Sequence, residues 1–198
     1  MAIGAISITP GARFPVTPRA GNLLVAVLGT LHDYPLAVPD GWTPRILPDT
    51  PGFPLAVYER IADGAPTDIA FTLTSNDATT VALFEFTGPA VSDASAQNST
   101  GRRLSDASTS VSTGTAENTT GTIAIAVIHR PDEKAERVET IDDWTNGFVE
   151  IVDFGCGLRS RTAVAIRAVS AGPVETSASW TTPRQARGAI VTYANALP

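Results

Sequence analysis

Two histidines, one cysteine and three tryptophans are the side chains of widest chemical reach in this chain. His32 stands beside Asp33 at the end of one apolar run, and His129 stands at the matching end of another. An imidazole next to Ser, Thr or Cys could activate a nucleophile, and two imidazoles at one end of a fold could share a metal. The chain has no G-x-S-x-G turn, and its two histidines lack the close spacing of metal ligands. Both read as solvated strand-end residues, and the expectation is a protein that is not an enzyme. "GCGLRS" (155–160) resembles a phosphate-binding glycine loop only superficially. Its third glycine is missing, and strand-like sequence follows, so no helix N-terminus would face a phosphate. A tight turn is expected there. Cys156 has only Arg159 nearby to lower its pKa, which predicts an inert thiol. Asp132, Glu133, Glu136, Asp142 and Asp143 lack calcium-loop spacing and read as charged loop. Neither a metal nor a cofactor is expected.

Trp42 and Trp144 sit in similar phrases, "DGWT" (40–43) and "DDWT" (142–145). Aromatic residues placed alike in two halves of a chain are expected in the core. Exposed, Trp42, Trp144 or Tyr58 would make a platform for a sugar ring, which is the alternative reading of the protein as a carbohydrate-binding module. Trp180, Tyr58 and Tyr193 lie in strands and read as core or sheet-surface residues.

The composition bounds the remaining choices. Of 198 residues, 43% are hydrophobic and 17% charged, a globular rather than a disordered balance. The formal net charge of −6 argues against nucleic acid as a partner, because phosphate recognition needs clustered Lys and Arg. A single cysteine permits no intrachain disulfide. No apolar stretch approaches the ~20 residues of a membrane span, and prolines stand where a signal peptide would have its apolar run. The sequons at Asn98 and Asn118 carry no weight, since Ser/Thr-rich loops generate such triplets by chance.

The elements that must position these residues are strands. The apolar runs are short, β-branched and fenced by Gly, Pro, Asn and Asp. "NLLVAVLGT" (22–30), "GWTPRIL" (41–47), "FPLAVYERIA" (53–62), "TDIAFTL" (67–73) and "TTVALFEFTG" (79–88) follow one another. "GTIAIAVIHR" (121–130) then answers the first phrase at an offset of 121 − 21 = 100. "RTAVAIRAVSAGPVETSASWT" (161–181) answers residues 54–74 at an offset of 161 − 54 = 107, and in that register Phe86 meets Tyr193. The expected fold is all-β: a two-sheet antiparallel sandwich, jelly-roll-like, built from a pseudo-repeat of about 21–88 and 121–195. Residues 1–20 are expected to form an extended arm, with Ile6, Ile8, Phe14 and Val16 as its assembly contacts. Residues 21–198 form one domain with a long crossover at 89–120. Glu133 and Arg137 are spaced for one helical turn in 131–144, and a charged loop is the equal alternative.

The phrases G-N-x-L-V-A-x (Gly21 to Val27), G-W-T (Gly41 to Thr43), an apolar strand closing on an acidic-Gly turn (Leu55 to Gly64) and a strand ending E-[FY]-x-G (Val81 to Gly88) resemble a β-sandwich module recurrent in virion proteins of tailed bacteriophages. The likeness covers about residues 20 to 195. It implies a minor tail, tail-fibre or capsid-decoration protein located in the virion. The partners it implies are other virion subunits, a second copy of the chain as a homo-oligomer, and a host-surface glycan. The family pattern has no catalytic motif to carry over. "DDWTNGF" (142–148) and the charged insert at 131–141 depart from it.

Overall fold

The computed structural model describes residues 2–3, 11–31, 38–48, 54–71, 79–88, 90–100, 106–131, 139–156 and 160–194. All of its regular elements are strands. The first half contributes β1 (Ala2–Ile3), β2 (Gly11–Arg13), β3 (Leu23–Thr30), β4 (Thr43–Ile46), β5 (Leu55–Ile61), β6 (Asp68–Ala70) and β7 (Thr79–Phe86). The second contributes β8 (Val91–Ser99), β9 (Ser108–Ser112), β10 (Ala116–Asn118), β11 (Ile123–Pro131), β12 (Val149–Cys156), β13 (Ser160–Ala168), β14 (Gly172–Val174), β15 (Ser177–Arg184) and β16 (Arg187–Ala194).

Each half builds its own five-stranded antiparallel sheet. The first has the order β4-β5-β3-β7-β1 and the second β12-β13-β11-β16-β8. These are the same order, which makes the pseudo-repeat of the sequence a repeat of topology. Its register agrees as well. Val27 lies opposite Val57 and Val127 opposite Val164, while Leu23 lies opposite Phe86 and Ile123 opposite Tyr193. The repeating unit is longer than its apolar phrases suggest. Residues 91–99, expected within a crossover, form β8 at the edge of the second sheet, and β1 takes the equivalent edge of the first. "VSDASAQNS" escaped notice as a strand because an edge strand with half-wet faces needs no apolar alternation. Within "TDIAFTL", Asp68–Ala70 form β6, which pairs with β2 outside both main sheets, and residues 72–73 lie outside the described residues.

The odd-numbered side chains Leu23, Val25 and Val27 of β3 meet Ile123, Ile125 and Val127 of β11 in the core between the sheets. The even-numbered ones point the other way and are also buried. Leu24, Ala26 and Leu28 pack under Phe14, Ile69 and Phe71, carried on or beside the β2–β6 ribbon. Ala124 and Ala126 pack under Ala116, Val174 and Phe148, and Ile128 packs with Val111, Ala178 and Trp180. An antiparallel sheet commonly keeps one face wet. Here ribbons cover both outer faces, so β3 and β11 are buried along their whole length and read as unbroken apolar runs. The outer face of the second sheet carries Ala124, Ala126, Ala163 and Ala165, small side chains that let the covering ribbons lie close.

Turn chemistry fastens the second half to itself. Asp93 of β8 accepts the backbone N–H groups of Thr119 (2.6 Å), Thr120 (3.0 Å) and Gly121 (3.3 Å), together with both threonine hydroxyls. Those donors, the Thr119 hydroxyl first, hold its carboxyl well below the ordinary carboxylate range. The buried amide of Asn118 donates to the carbonyls of Gly121 and Ser170 and accepts from the N–H of Gly121, so the side chain of that sequon is already committed within the fold.

Ribbon and sheet approach closely at Gly188, where an added Cβ would lie 2.4 Å from the Ser112 carbonyl oxygen. Backbone on both sides leaves no soft neighbour to yield. Gly188→Ala should therefore lower stability by about 1–3 kcal/mol, read as a reduced urea midpoint at unchanged m-value. An unaffected midpoint would mean that the β9–β15 ribbon does not press on the second sheet.

Candidate functional site

A buried polar seam lies between the two sheets, at the end where β3 and β11 finish. His129 is the next inward-facing residue after Val127, and it reaches across to the opposite sheet. Its Nε2 lies 2.9 Å from the Thr30 carbonyl and its Nδ1 2.9 Å from the Thr162 hydroxyl. A carbonyl only accepts, so Nε2 carries the proton and Nδ1 accepts from Thr162. Thr162 in turn lies 2.6 Å from the Thr80 hydroxyl, and Thr80 is 3.2 Å from the Gly29 carbonyl. His129, Thr30, Thr80 and Thr162 are all buried. The ring has room because its opposite number is glycine: a Cβ at Gly29 would sit 2.2 Å from His129 Nδ1. Gly29 and His129 are repeat equivalents (129 − 29 = 100), so the two halves use one position asymmetrically, ring on one side and space on the other.

Burial, reinforced by Arg187 opposite on β16, lowers the His129 pKa to about 4, against the pull of its bond to the Thr30 carbonyl. Around it the second sheet carries further buried charge. Arg161 grips Asp153 with N–O separations of 2.6 and 2.8 Å. Arg130 lies 5.6 Å from the centroid of the Trp180 ring, donates to the Glu139 carbonyl at 2.9 Å and stands 3.7 Å from the Glu139 carboxylate. On the side of the sandwich where β4 faces β8, Arg45 hydrogen-bonds Glu59, which raises the pKa of its guanidinium. Burial drives the Tyr193 hydroxyl well above its usual range. These arrangements join sheet to sheet and strand to strand.

The sequence-derived site residues fall in different places. Tyr58 is fully buried, its hydroxyl pushed to about 12 by burial, and Trp42 is 5% exposed. Both pack on the outer face of the first sheet beneath Phe14 and Phe71, so neither offers a ring face for stacking. Trp144 is half-buried against the outer clusters of the second sheet, and its indole N–H donates to Glu150 at 3.0 Å. Phe14 is a core residue, not an arm contact, because β2 is paired with β6 and delivers it onto the sheet. Val16 is 71% exposed. Ile6 and Ile8 lie outside the described residues, as do His32, Arg159 and the 132–138 stretch considered for a helical turn. His129 is not the solvated residue expected of a strand end, because the facing sheet extends past it. Cys156, the last residue of β12, lies opposite Ser160, the first of β13, and the tight turn expected in "GCGLRS" falls on residues 157–159, outside the described residues.

The sheet edges differ between the halves. β4, an edge of the first sheet, is four residues long and contains Pro44 and Arg45, both of which discourage pairing. Its equivalent β12 reads "VEIVDFGC", eight residues without Pro, Lys or Arg. Val149 is 65% exposed, and Ile151 and Val152 are half-buried. A bulge between Glu150 and Val152 interrupts it, and the carboxylates of Glu150 and Asp153 accept from the Trp144 indole and the Ile141 N–H. Sequence reading missed this edge because strand order is not written in periodicity.

No protein-family model matches the chain, and searches of curated proteins and of solved structures each returned no match. Among the described residues no group of three or more His, Cys, Asp or Glu could hold a metal, and no helix is long and apolar enough to cross a membrane.

Two outcomes test the seam. Gly29→Ala should lower stability by about 1–3 kcal/mol through the clash across the sheets, and a His129→Ala partner should recover part of that loss. Additive effects in the double-mutant cycle would deny the contact. The depressed pKa sets a pH dependence. The unfolded chain takes up a proton near pH 6.5 and the folded chain only near pH 4, so the contribution is complete above 6.5 and is lost as pH falls through that window. The loss amounts to roughly 3 kcal/mol, and it should be smaller in His129→Gln when unfolding is followed from pH 7 to 4.

Proposed function

We propose that this protein is a structural component of a tailed-bacteriophage particle, tail-associated or capsid-decorating, that acts through contacts with other virion subunits. The observation that carries the reading is the edge of β12, whose outer side pairs with no strand among the described residues. A sandwich whose outer faces are covered by its own ribbons presents its remaining backbone hydrogen-bonding capacity at its edges. The duplication supplies an internal comparison, since β4 is shortened and guarded by proline while β12 is long and bears the exposed Val149. Edge addition of a neighbour's strand gives affinity through backbone pairing and register through alternate side chains. The strand phrases that resemble phage virion modules support the same reading.

Edge substitution probes this more cleanly than truncation, because Phe14 is part of the core. Light scattering coupled to size exclusion should find wild-type chain in a defined oligomer, or co-eluting with a virion subunit produced with it. Val149→Lys should weaken that association roughly tenfold or more and leave thermal stability unchanged. Mass spectrometry of purified particles from a lysate of cells carrying the gene should find the chain at fixed stoichiometry. A monomer that ignores Val149→Lys, together with its absence from particles, would overturn the assignment.

A further inference from the structure

Among the described residues no strand pairing crosses between the two halves. Strands β1 to β7 pair only with one another, β8 to β16 likewise, and each half keeps its own covering ribbons. Packing and side chains join the halves, not a ladder. Leu23, Val25 and Val27 lie against Ile123, Ile125 and Val127. Side-chain hydrogen bonds cross from His129 to the Thr30 carbonyl, between Thr162 and Thr80, and from Gln97 to the Leu47 carbonyl. Parting the halves breaks no sheet, yet it bares on each an apolar row that cannot be left in water. Each half is complete in its strand pairing and incomplete in its burial.

The covalent link between these units is short. β7 ends at Phe86 and β8 begins at Val91, so residues 87–90 make the whole connection. Within it Gly88 has φ +93°, a conformation that residues with a side chain rarely adopt. Its N–H donates to the buried Asn22 side chain at 3.1 Å, and Ala90 is drawn into the core between the sheets. A short, tightly turned hinge between two complementary units is the arrangement that invites reciprocal exchange. The surface that one half covers is offered in identical form by a second copy of the chain. We infer that this protein exchanges halves: the first half of one copy packs on the second half of another, and the remaining two halves complete a second sandwich. Every contact between the sheets is then remade between copies, including the bond from His129 of one copy to the Thr30 carbonyl of the other. The hinge opens, and Gly88 is released from its positive φ. The product ties two sandwiches together through two continuous chains, a linkage that does not draw on the β12 edge.

Refolding of the full chain tests this. Opening bares the inward rows and proceeds at the pace of unfolding, so monomer and exchanged dimer should separate on a sizing column. Wild-type chain refolded from urea at high concentration should give a dimer by light scattering, and at low concentration mostly monomer. A tagged and an untagged version should form mixed dimers when refolded together and none when mixed already folded. Gly88→Val strains the closed hinge and should raise the dimer-to-monomer ratio about tenfold or more. Insertion of Gly-Ser-Gly-Ser after Thr87 relaxes the hinge and should lower that ratio by a similar factor. Val149→Lys should leave the dimer intact, which separates exchange from association at β12. Monomer alone at every refolding concentration would overturn the inference. So would a dimer that mixes without unfolding or disappears in Val149→Lys, since both behaviours belong to a surface contact.

Discussion

The central strands β3 and β11 have no wet side, and the rest of the molecule is arranged around that constraint. One face of each must meet the other sheet, and the opposite face must be covered by something the same half provides. The two-residue period of a strand divides the labour without ambiguity: Leu23, Val25 and Val27 belong to the shared core, Leu24, Ala26 and Leu28 to the private one. A half on its own would leave its inward row in water, so the duplicated unit is complete only as a pair. The short ribbons follow from the same requirement, because a sheet apolar on both faces needs a lid.

Within that frame the polar seam sets how the sheets meet. Packing of aliphatic rows tolerates sliding, since one apolar neighbour serves nearly as well as another. A chain of buried hydrogen bonds from Thr80 through Thr162 and His129 to the Thr30 carbonyl does not. A displaced seam would leave several polar groups buried and unpaired, each at a penalty of about 1–3 kcal/mol. The glycine opposite His129 shows how a duplicated architecture accommodates one ring near its pseudo-symmetry axis: two imidazoles at equivalent positions would collide, and one half gives up its side chain.

The two halves have diverged mainly at their edges and outer faces. The first sheet ends in a short proline-bearing strand and keeps large outer side chains such as Leu24, Tyr58 and Leu83, with a cleft lined by Trp42 beside them. The second ends in a longer strand without proline and keeps an alanine-lined outer face under close ribbons. The cleft and the long edge strand thus lie on different halves.

Much of this architecture was legible in the residues alone. Repeated apolar phrases at offsets of 100 and 107 fixed the all-β class, the two strand groups and the register that pairs Phe86 and Tyr193 with equivalent partners, because buried central strands tolerate little change in type or length. The edge strand β8 was not legible, since a half-solvated strand carries no apolar signature. Nor was the burial of His129, whereas that of Trp42 and Tyr58 agrees with their reading as core aromatics. A side chain's exposure at a strand end depends on how far the facing sheet and its covering ribbon extend, and those lengths are set by pairings between residues distant in the chain. Local chemistry determines that a segment is a strand, whereas only the tertiary structure decides which of its neighbours is protein and which is water.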